Sequence, residues 1–276
     1  MHLESGSEIG AIFFDFKKAF DTVPHLPLLS KLENIGLDPH IITWIHNYIA
    51  ERQQRISRKK KCSISAPSFF LNGCPLEEVP TFKYLGIIIS SDLSWSQHIE
   101  RICSKARKII GMLYRCYYQY ADSSTLLKLY TSLVQPHVEY AAPVWDPSTV
   151  QDIQHLESVQ NFALRVSSKQ WDLGYSELLD TCNLPTLENR RLYMKLCHLF
   201  KVVHGLCYFP PGIVLPKTNP SHYFRPYTLQ QPFARTNAFY SSFIPDSIRY
   251  WNYLPEDIVC APTYINFKNC LRALTL

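Results

Sequence analysis

A short apolar run near the start of the chain carries the acid best suited to do chemistry. Residues 11–16 (AIFFDF) predict a buried strand, and Asp15 lies near its end. A carboxylate in such a place costs free energy unless it is paired or binds a metal ion. Mg²⁺ prefers carboxylate oxygens, and two Mg²⁺ ions can stabilise the attacking 3′-oxygen and the leaving phosphate of nucleotidyl transfer. Asp15 is therefore the candidate catalytic and metal-binding residue.

The wider segment at 14–24 (FDFKKAFDTVP) resembles the first catalytic motif of reverse transcriptases from non-LTR (LINE-type) retrotransposons, which has the form F-D-x-x-K-A-F-D. The resemblance implies that Asp15 binds Mg²⁺ and that the backbone carbonyl of Phe16 is a further ligand. Phe20 matches the bulky residue that sits under the sugar of the incoming nucleotide and excludes a 2′-hydroxyl. Asp21 matches a position of the motif that does not usually bind the metal.

Later segments resemble the same family. Residues 83–86 (KYLG) follow an Asn-Gly turn signal at 72–73 and look like the family's primer-grip hairpin. The resemblance implies that Tyr84 and Gly86 line the path of the primer, although an aromatic residue in a strand is more often part of the core. Segments that resemble the thumb and the region after it are 95–99 (WSQHI), 133–137 (LVQPH), 139–141 (EYA), 143–145 (PVW) and 187–191 (LENRR).

One part of the family's catalytic site is missing from the sequence. A working site needs a second acidic motif, Tyr-x-Asp-Asp, which the family places between the helix near residue 50 and the hairpin near residue 70. That interval is too short here, and no Asp-Asp pair occurs in the 276 residues. Because one carboxylate cannot hold two Mg²⁺ ions in the required geometry, we expect Asp15 to be vestigial and Mg²⁺ not to be bound productively. The expected function is that of an inactive, internally truncated remnant of an RNA-directed DNA polymerase.

Two alternatives stay open. The chain is a non-catalytic module that binds RNA or DNA, or it is an active reverse transcriptase whose second acid is Asp92 or Asp122. No spacing supports the active enzyme. Asp122 precedes an apolar-periodic segment, where an N-cap of a helix explains it better.

A long amphipathic helix is predicted over residues 97–117. Its apolar residues share one face at 100° per residue, and its cations share the opposite face. The predicted basic stripe consists of Arg101, Lys105, Lys108 and Arg115. A basic stripe is usually a solvated helix face, but the resemblance to a thumb makes contact with the phosphates of an RNA template or RNA/DNA duplex an equal alternative.

The remaining periodicity predicts an α+β fold: a partial palm fragment, followed by a mostly α-helical thumb and C-terminal region. Further helices are predicted at 25–37, 40–52, 123–140, 150–168, 175–182, 187–204 and 263–273, with strands at 68–74 and 82–90. The Pro-rich sequence after residue 208 predicts an extended, irregular region. The predicted division is a partial palm at 1–56, a junction and hairpin at 57–92, a thumb-like domain at 93–208 and the Pro-rich region at 209–276.

Composition excludes several other classes of protein. The net charge of +5 permits a polyanionic partner without requiring one, and no Gly-rich phosphate-binding loop is present. The nine cysteines include no C-x-x-C pair, so a zinc site is not expected. No stretch of 18 apolar residues or secretory signal occurs, so we expect no membrane partner, reduced thiols and an intracellular location, cytoplasmic or nuclear.

Overall fold

The computed structural model describes residues 25–42, 70–71, 74–75, 79–210, 212–214, 216 and 227–275. The chain divides into two compact units, Gly10–Glu78 and Val79–Leu276 together with Met1–Ile9. Asp15, Phe16 and Phe20 lie outside the described residues, as does most of the helix predicted at 40–52. The predicted boundaries at 56, 92 and 208 stay predictions.

In the smaller unit, the helix predicted at 25–37 is confirmed as α1 (His25–Asn34). The chain turns away from α1 at Gly36, two residues after its last helical residue, with a φ of +83° that L side chains rarely adopt. Gly36 N–H donates to the Glu33 carbonyl and Leu37 N–H to the Leu32 carbonyl, which satisfies two carbonyls of the last turn. Strands β1 (Phe70–Leu71) and β2 (Cys74–Pro75) pair antiparallel on either side of residues 72–73, as the Asn-Gly signal predicts, so the single strand predicted at 68–74 is wrong.

The larger unit begins with a second hairpin, and the single strand predicted at 82–90 is wrong. Strands β3 (Thr81–Tyr84) and β4 (Ile87–Ser90) pair antiparallel and are joined by a two-residue turn. Leu85 has φ +46° and Gly86 has φ +90°. Positive φ at both central residues is the pattern of a type I′ turn, whose twist matches that of a hairpin. The apolar run concealed this turn because Leu85 is an unusual residue for it.

The amphipathic helix is confirmed as α2 (Ser96–Tyr117). Its buried residues include Ile99, Cys103, Ala106, Ile110 and Leu113. The apolar pattern over residues 97–117 also predicts Tyr117 on this face, but Tyr117 is 46% exposed.

The helix predicted at 123–140 is interrupted. It consists of α3 (Ser123–Leu129), a π-helical turn (Tyr130–Val134) and α4 (Gln135–Glu139), and Asp122 caps α3 by accepting from Thr125 N–H. Pro136 lies in the first turn of α4 and has no N–H to donate to the preceding turn. A short helix, α5 (Ala142–Trp145), follows.

Three further helices match their predicted spans within one residue. They are α6 (Val150–Ser168), α7 (Tyr175–Cys182) and α8 (Leu187–Val203). The last of them ends at Gly205, with φ +65° and Leu206 N–H donating to the Lys201 carbonyl.

The expectation of an irregular region after residue 208 is wrong for residues 237–259, where three helices that were not predicted lie. They are α9 (Asn237–Tyr240), α10 (Phe243–Tyr253) and α11 (Glu256–Val259). Several prolines of this region lie where no helical N–H is required. Pro245 is in the first turn of α10, and Pro255 is the N-cap of α11. The helix after them, α12 (Tyr264–Thr275), confirms the one predicted at 263–273.

Two apolar clusters form the core of the larger unit. The first packs α2, the π turn, α6 and α7 around the buried Trp145. The second packs the C-terminal half of α8 against α10, α11 and α12 around Trp251 and Phe267. The fold is therefore α+β and mostly helical. None of the helices described is both long and apolar enough to cross a membrane.

Candidate nucleic-acid interface

The predicted basic stripe lies on the solvent side of α2. The apolar face of α2 is covered by the core, so the opposite face must point outward, and all four cations of the stripe are exposed. From Arg101 to Arg115 the stripe is about 21 Å long at 1.5 Å per residue. Within the described ranges, none of the four forms an ion pair with an acid.

Two histidines near the basic stripe have lowered pKa values. The pKa of His137 is lowered by partial burial and then by the charge of Lys105. The pKa of His98 is lowered to about 4, mainly by burial, with a contribution from Arg101. Both imidazoles are therefore neutral at pH 7, and the positive charge of this surface comes from the stripe.

Arg115 lies close against its own helix. A Cβ atom built on Gly111 would lie 3.5 Å from Nη1 of Arg115, so the guanidinium extends back over the glycine one turn earlier. The guanidinium therefore lies on the side of α2 that leads towards Tyr118.

The hairpin with Tyr84 and Gly86 is fixed beside the start of α2. Ile88 N–H donates to Nδ1 of His98 at 3.3 Å, and the Tyr140 hydroxyl donates to the Leu85 carbonyl at 3.1 Å. A Cβ atom on Gly86 would lie 3.5 Å from the ring of Tyr140. Gly86 therefore has a structural role in the turn, while the contact of Tyr84 and Gly86 with a primer stays a prediction. Tyr84 is 37% exposed.

Ion pairs that are largely buried connect α8 with residues in and after the segment at 139–145. Arg190 pairs with Glu139, and Nε of Arg191 donates to Asp146 at 2.6 Å. Lys195, only 4% exposed, donates to both Asp146 and Asp246. Although burial alone would lower it, the two carboxylates raise the pKa of Lys195. These contacts link α8 to α4, α5 and α10.

Sequence patterns gave no signal for Lys195. Its carboxylate partners are 49 and 51 residues away, and a lysine within an amphipathic helix is normally solvated. Trp145 and Trp251 are completely buried in the core. Each indole N–H donates to a backbone carbonyl, that of Tyr140 and that of Tyr227 respectively.

The structure does not address the metal site that the resemblance implies. Asp15 and Phe16 lie outside the described residues. Within the part of the chain that is described, no group of three His, Cys, Asp or Glu residues could hold a metal ion. Asp122, one alternative acid, is committed to capping α3, and Asp92 accepts from Ser94 N–H in an exposed loop.

Comparison with known proteins gives two partial similarities. The chain is 24% identical over 171 residues to an uncharacterized protein of Caenorhabditis elegans, a match that spans 59% of this chain and 86% of that protein. It is 21% identical over 127 residues to the Drosophila melanogaster protein named "Probable RNA-directed DNA polymerase from transposon X-element". That match spans 44% of this chain and 14% of the fly protein. No protein-family model matches the chain, and no solved structure matches it significantly.

Proposed function

We propose that this chain is a remnant of the RNA-directed DNA polymerase of a non-LTR retrotransposon, and that its helical unit binds RNA or an RNA/DNA duplex without polymerising DNA. The observation that carries the binding proposal is the exposed stripe on α2, whose four cations have no acidic partner among the described residues. The ancestry is supported by the F-D-x-x-K-A-F-D motif and by the partial similarity to the fly transposon polymerase.

The stripe acts on the nucleic-acid backbone. Successive phosphates of one strand are about 3.4 Å apart on the axis of a B-form duplex, so a stripe of about 21 Å is long enough to contact several phosphates of a bound duplex. Long, exposed Lys and Arg side chains can reach phosphates without reading bases. Binding is therefore tolerant of sequence and weakens as salt increases, because each neutralised phosphate releases condensed counterions.

Polymerisation is not part of the proposal because the residues present do not fit two Mg²⁺ ions. Of the two aspartates in the motif only Asp15 matches a metal-binding position, and the sequence has no Tyr-x-Asp-Asp. Phosphoryl transfer depends on metal ions that bridge the reacting oxygens, and a single acid gives no such pair.

Binding is tested by fluorescence anisotropy with a labelled RNA/DNA hybrid of 12 base pairs over a range of salt concentrations. We expect the triple variant Arg101→Glu/Lys105→Glu/Lys108→Glu to weaken binding and to reduce the slope of log K against log salt by about 2 to 3. Lys105→Glu should weaken binding more than the matched control Lys128→Glu, which changes an exposed lysine on α3. Equal affinities of the triple variant and the wild type would overturn the proposal.

The absence of polymerisation is tested separately by primer extension on an RNA template with Mg²⁺ and dNTPs. A preparation that shows a cooperative thermal melt should give no extension, and Asp15→Asn should behave like the wild type. Extension that disappears in Asp15→Asn would show that a second metal-binding acid exists and would refute this part of the proposal.

A further inference from the structure

Three aromatic rings lie at the C-terminal end of α2, near Arg115: Tyr114 and Trp171 are exposed, and Tyr118 is half-buried against the core. The rings of Tyr114 and Tyr118 are 4.6 Å apart between centroids, and the Trp171 indole N–H donates to the Tyr118 hydroxyl at 3.1 Å. Lys169 Nζ lies 5.4 Å from the centroid of the Tyr118 ring. We call Tyr114, Tyr118, Trp171 and Lys169 the aromatic patch. Tyr114 and Trp171 are 43% and 44% exposed.

The loop that carries Trp171 is held in place by Arg165. Its guanidinium donates to the carbonyls of Trp171 and Leu173, the latter at 3.0 Å, while its Nε donates to Asn161 at 3.2 Å. Lys169, the residue that ends α6, has φ +60° and turns the chain into this loop. The indole is therefore positioned before any ligand arrives, which reduces the entropy lost when a ring stacks on it.

The patch is continuous with the basic stripe. At 100° per residue, Tyr118 is about 60° around α2 from Arg115, and Tyr114 is about 100° away on the same side. Arg115, the last cation of the stripe, is therefore also next to the rings. Two acids are near in sequence: Asp122 is committed to Thr125 N–H, and Asp172 is exposed beside Trp171.

We propose that the aromatic patch stacks the unpaired bases of single-stranded RNA or DNA that continues from the strand bound by the stripe. The inference rests on the proposed function, since the stripe supplies the phosphate contacts that bring the strand to the rings. Planar side chains beside cations are the arrangement that binds single strands, because every base has a face to stack and a backbone to neutralise. Lys169 and Arg115 provide the charge, the exposed rings of Tyr114 and Trp171 provide the faces, and the half-buried Tyr118 contacts both rings.

The test compares a labelled 12-nucleotide oligouridylate with the blunt 12-base-pair RNA/DNA hybrid. We expect Trp171→Leu to weaken oligouridylate binding about 10-fold while hybrid binding stays within about twofold. Trp171→Phe, which keeps a ring, should retain most of the affinity, and Asp172→Asn should increase it by removing a nearby negative charge. Tyr253→Leu is the matched control, because Tyr253 is an aromatic residue that is 84% exposed in another part of the unit.

Intrinsic fluorescence gives a second readout. The chain has five tryptophans: Trp145 and Trp251 are fully buried, Trp95 is half-buried at the other end of α2, and Trp44 lies outside the described residues, so the quenching by a stacked base is assigned to Trp171 by comparison with Trp171→Phe. Oligouridylate should quench the fluorescence of the wild type, and most of this quenching should disappear in Trp171→Phe even though binding persists.

The outcomes separate the two proposals. If Trp171→Leu binds oligouridylate as the wild type does while the triple stripe variant loses hybrid binding, the aromatic patch is refuted and the proposed function stands. If the triple variant binds the hybrid normally while Trp171→Leu weakens oligouridylate binding, the stripe is refuted instead. A folded wild type that binds neither probe at low salt refutes both.

Discussion

Glu139 and Arg190 form a bidentate ion pair between residues 51 positions apart in the sequence. Nε of Arg190 donates to one carboxylate oxygen, and its Nη2 donates to the other at 3.1 Å. The pair joins the last residue of α4 to the first turn of α8. It therefore gives a structural reason for an acid in the segment at 139–141 and an arginine in the segment at 187–191.

Replacing Arg190 with methionine should destabilise the fold by about 2 kcal/mol, because the half-buried Glu139 loses its cationic partner. Gln135 also donates to Glu139, at 2.8 Å, which keeps the loss below that of a fully buried charge. Denaturant unfolding monitored by circular dichroism gives the free energy. Glu188→Gln, an exposed change in the same turn of α8, should cost less than about 0.5 kcal/mol. Equal effects of the two substitutions would mean that the ion pair contributes nothing.

Lys195→Met should destabilise the fold more, by about 3 kcal/mol, because it leaves Asp146 and Asp246 without the ammonium group between them. The loss is at the lower end of that for a broken buried ion pair, since Arg191 and Arg249 still pair with these carboxylates. The same denaturant measurement applies. Lys201→Met on the same helix removes a contact with the Tyr264 ring but no ion pair among the described residues, and is the control. A loss for Lys195→Met no larger than that for Lys201→Met would contradict the prediction.

Local patterns predicted most helices of this chain, and long-range contacts were not predictable from them. The spans of α6 and α7 followed from periodicity, and the structure adds the cap of α6, Thr149, which accepts from Asp152 N–H. The turn at Leu85 was missed because a leucine with positive φ breaks the usual turn chemistry. The stripe could be located from spacing, since helical geometry alone places its members on one face. The aromatic patch could not, because Trp171 meets Tyr118 across 53 residues.

Tyr140→Phe should increase local opening of the second hairpin at its turn. The change removes the hydroxyl that donates to the Leu85 carbonyl but keeps the ring beside Gly86, so the cost is about 1 kcal/mol. Hydrogen exchange followed by mass spectrometry should show faster exchange in a peptide that covers residues 79–91. Tyr253→Phe, at an exposed tyrosine, should leave that peptide unchanged. If exchange in the Tyr140 variant matches the wild type, the hydroxyl does not hold the hairpin.

The stability of the larger unit should decrease as pH falls from 6.5 to 4, and His98 should account for much of the change. Because Nδ1 of His98 accepts from Ile88 N–H, the neutral ring carries its proton on Nε2, and a second proton would disrupt that contact. The pKa is about 4 in the folded state and 6.5 as the ordinary value, so the unfolded chain binds more protons between these limits. The stabilisation by neutral His98 is thus fully present above pH 6.5 and lost towards pH 4, a change of about 3 kcal/mol.

His137, His198 and His204 also have lowered pKa values and act in the same direction, so the contribution of His98 must be isolated with His98→Gln. Glutamine keeps an acceptor but does not titrate, and its free energy of unfolding should vary less steeply over this window. Parallel pH profiles for the variant and the wild type would show that His98 is not the titrating group.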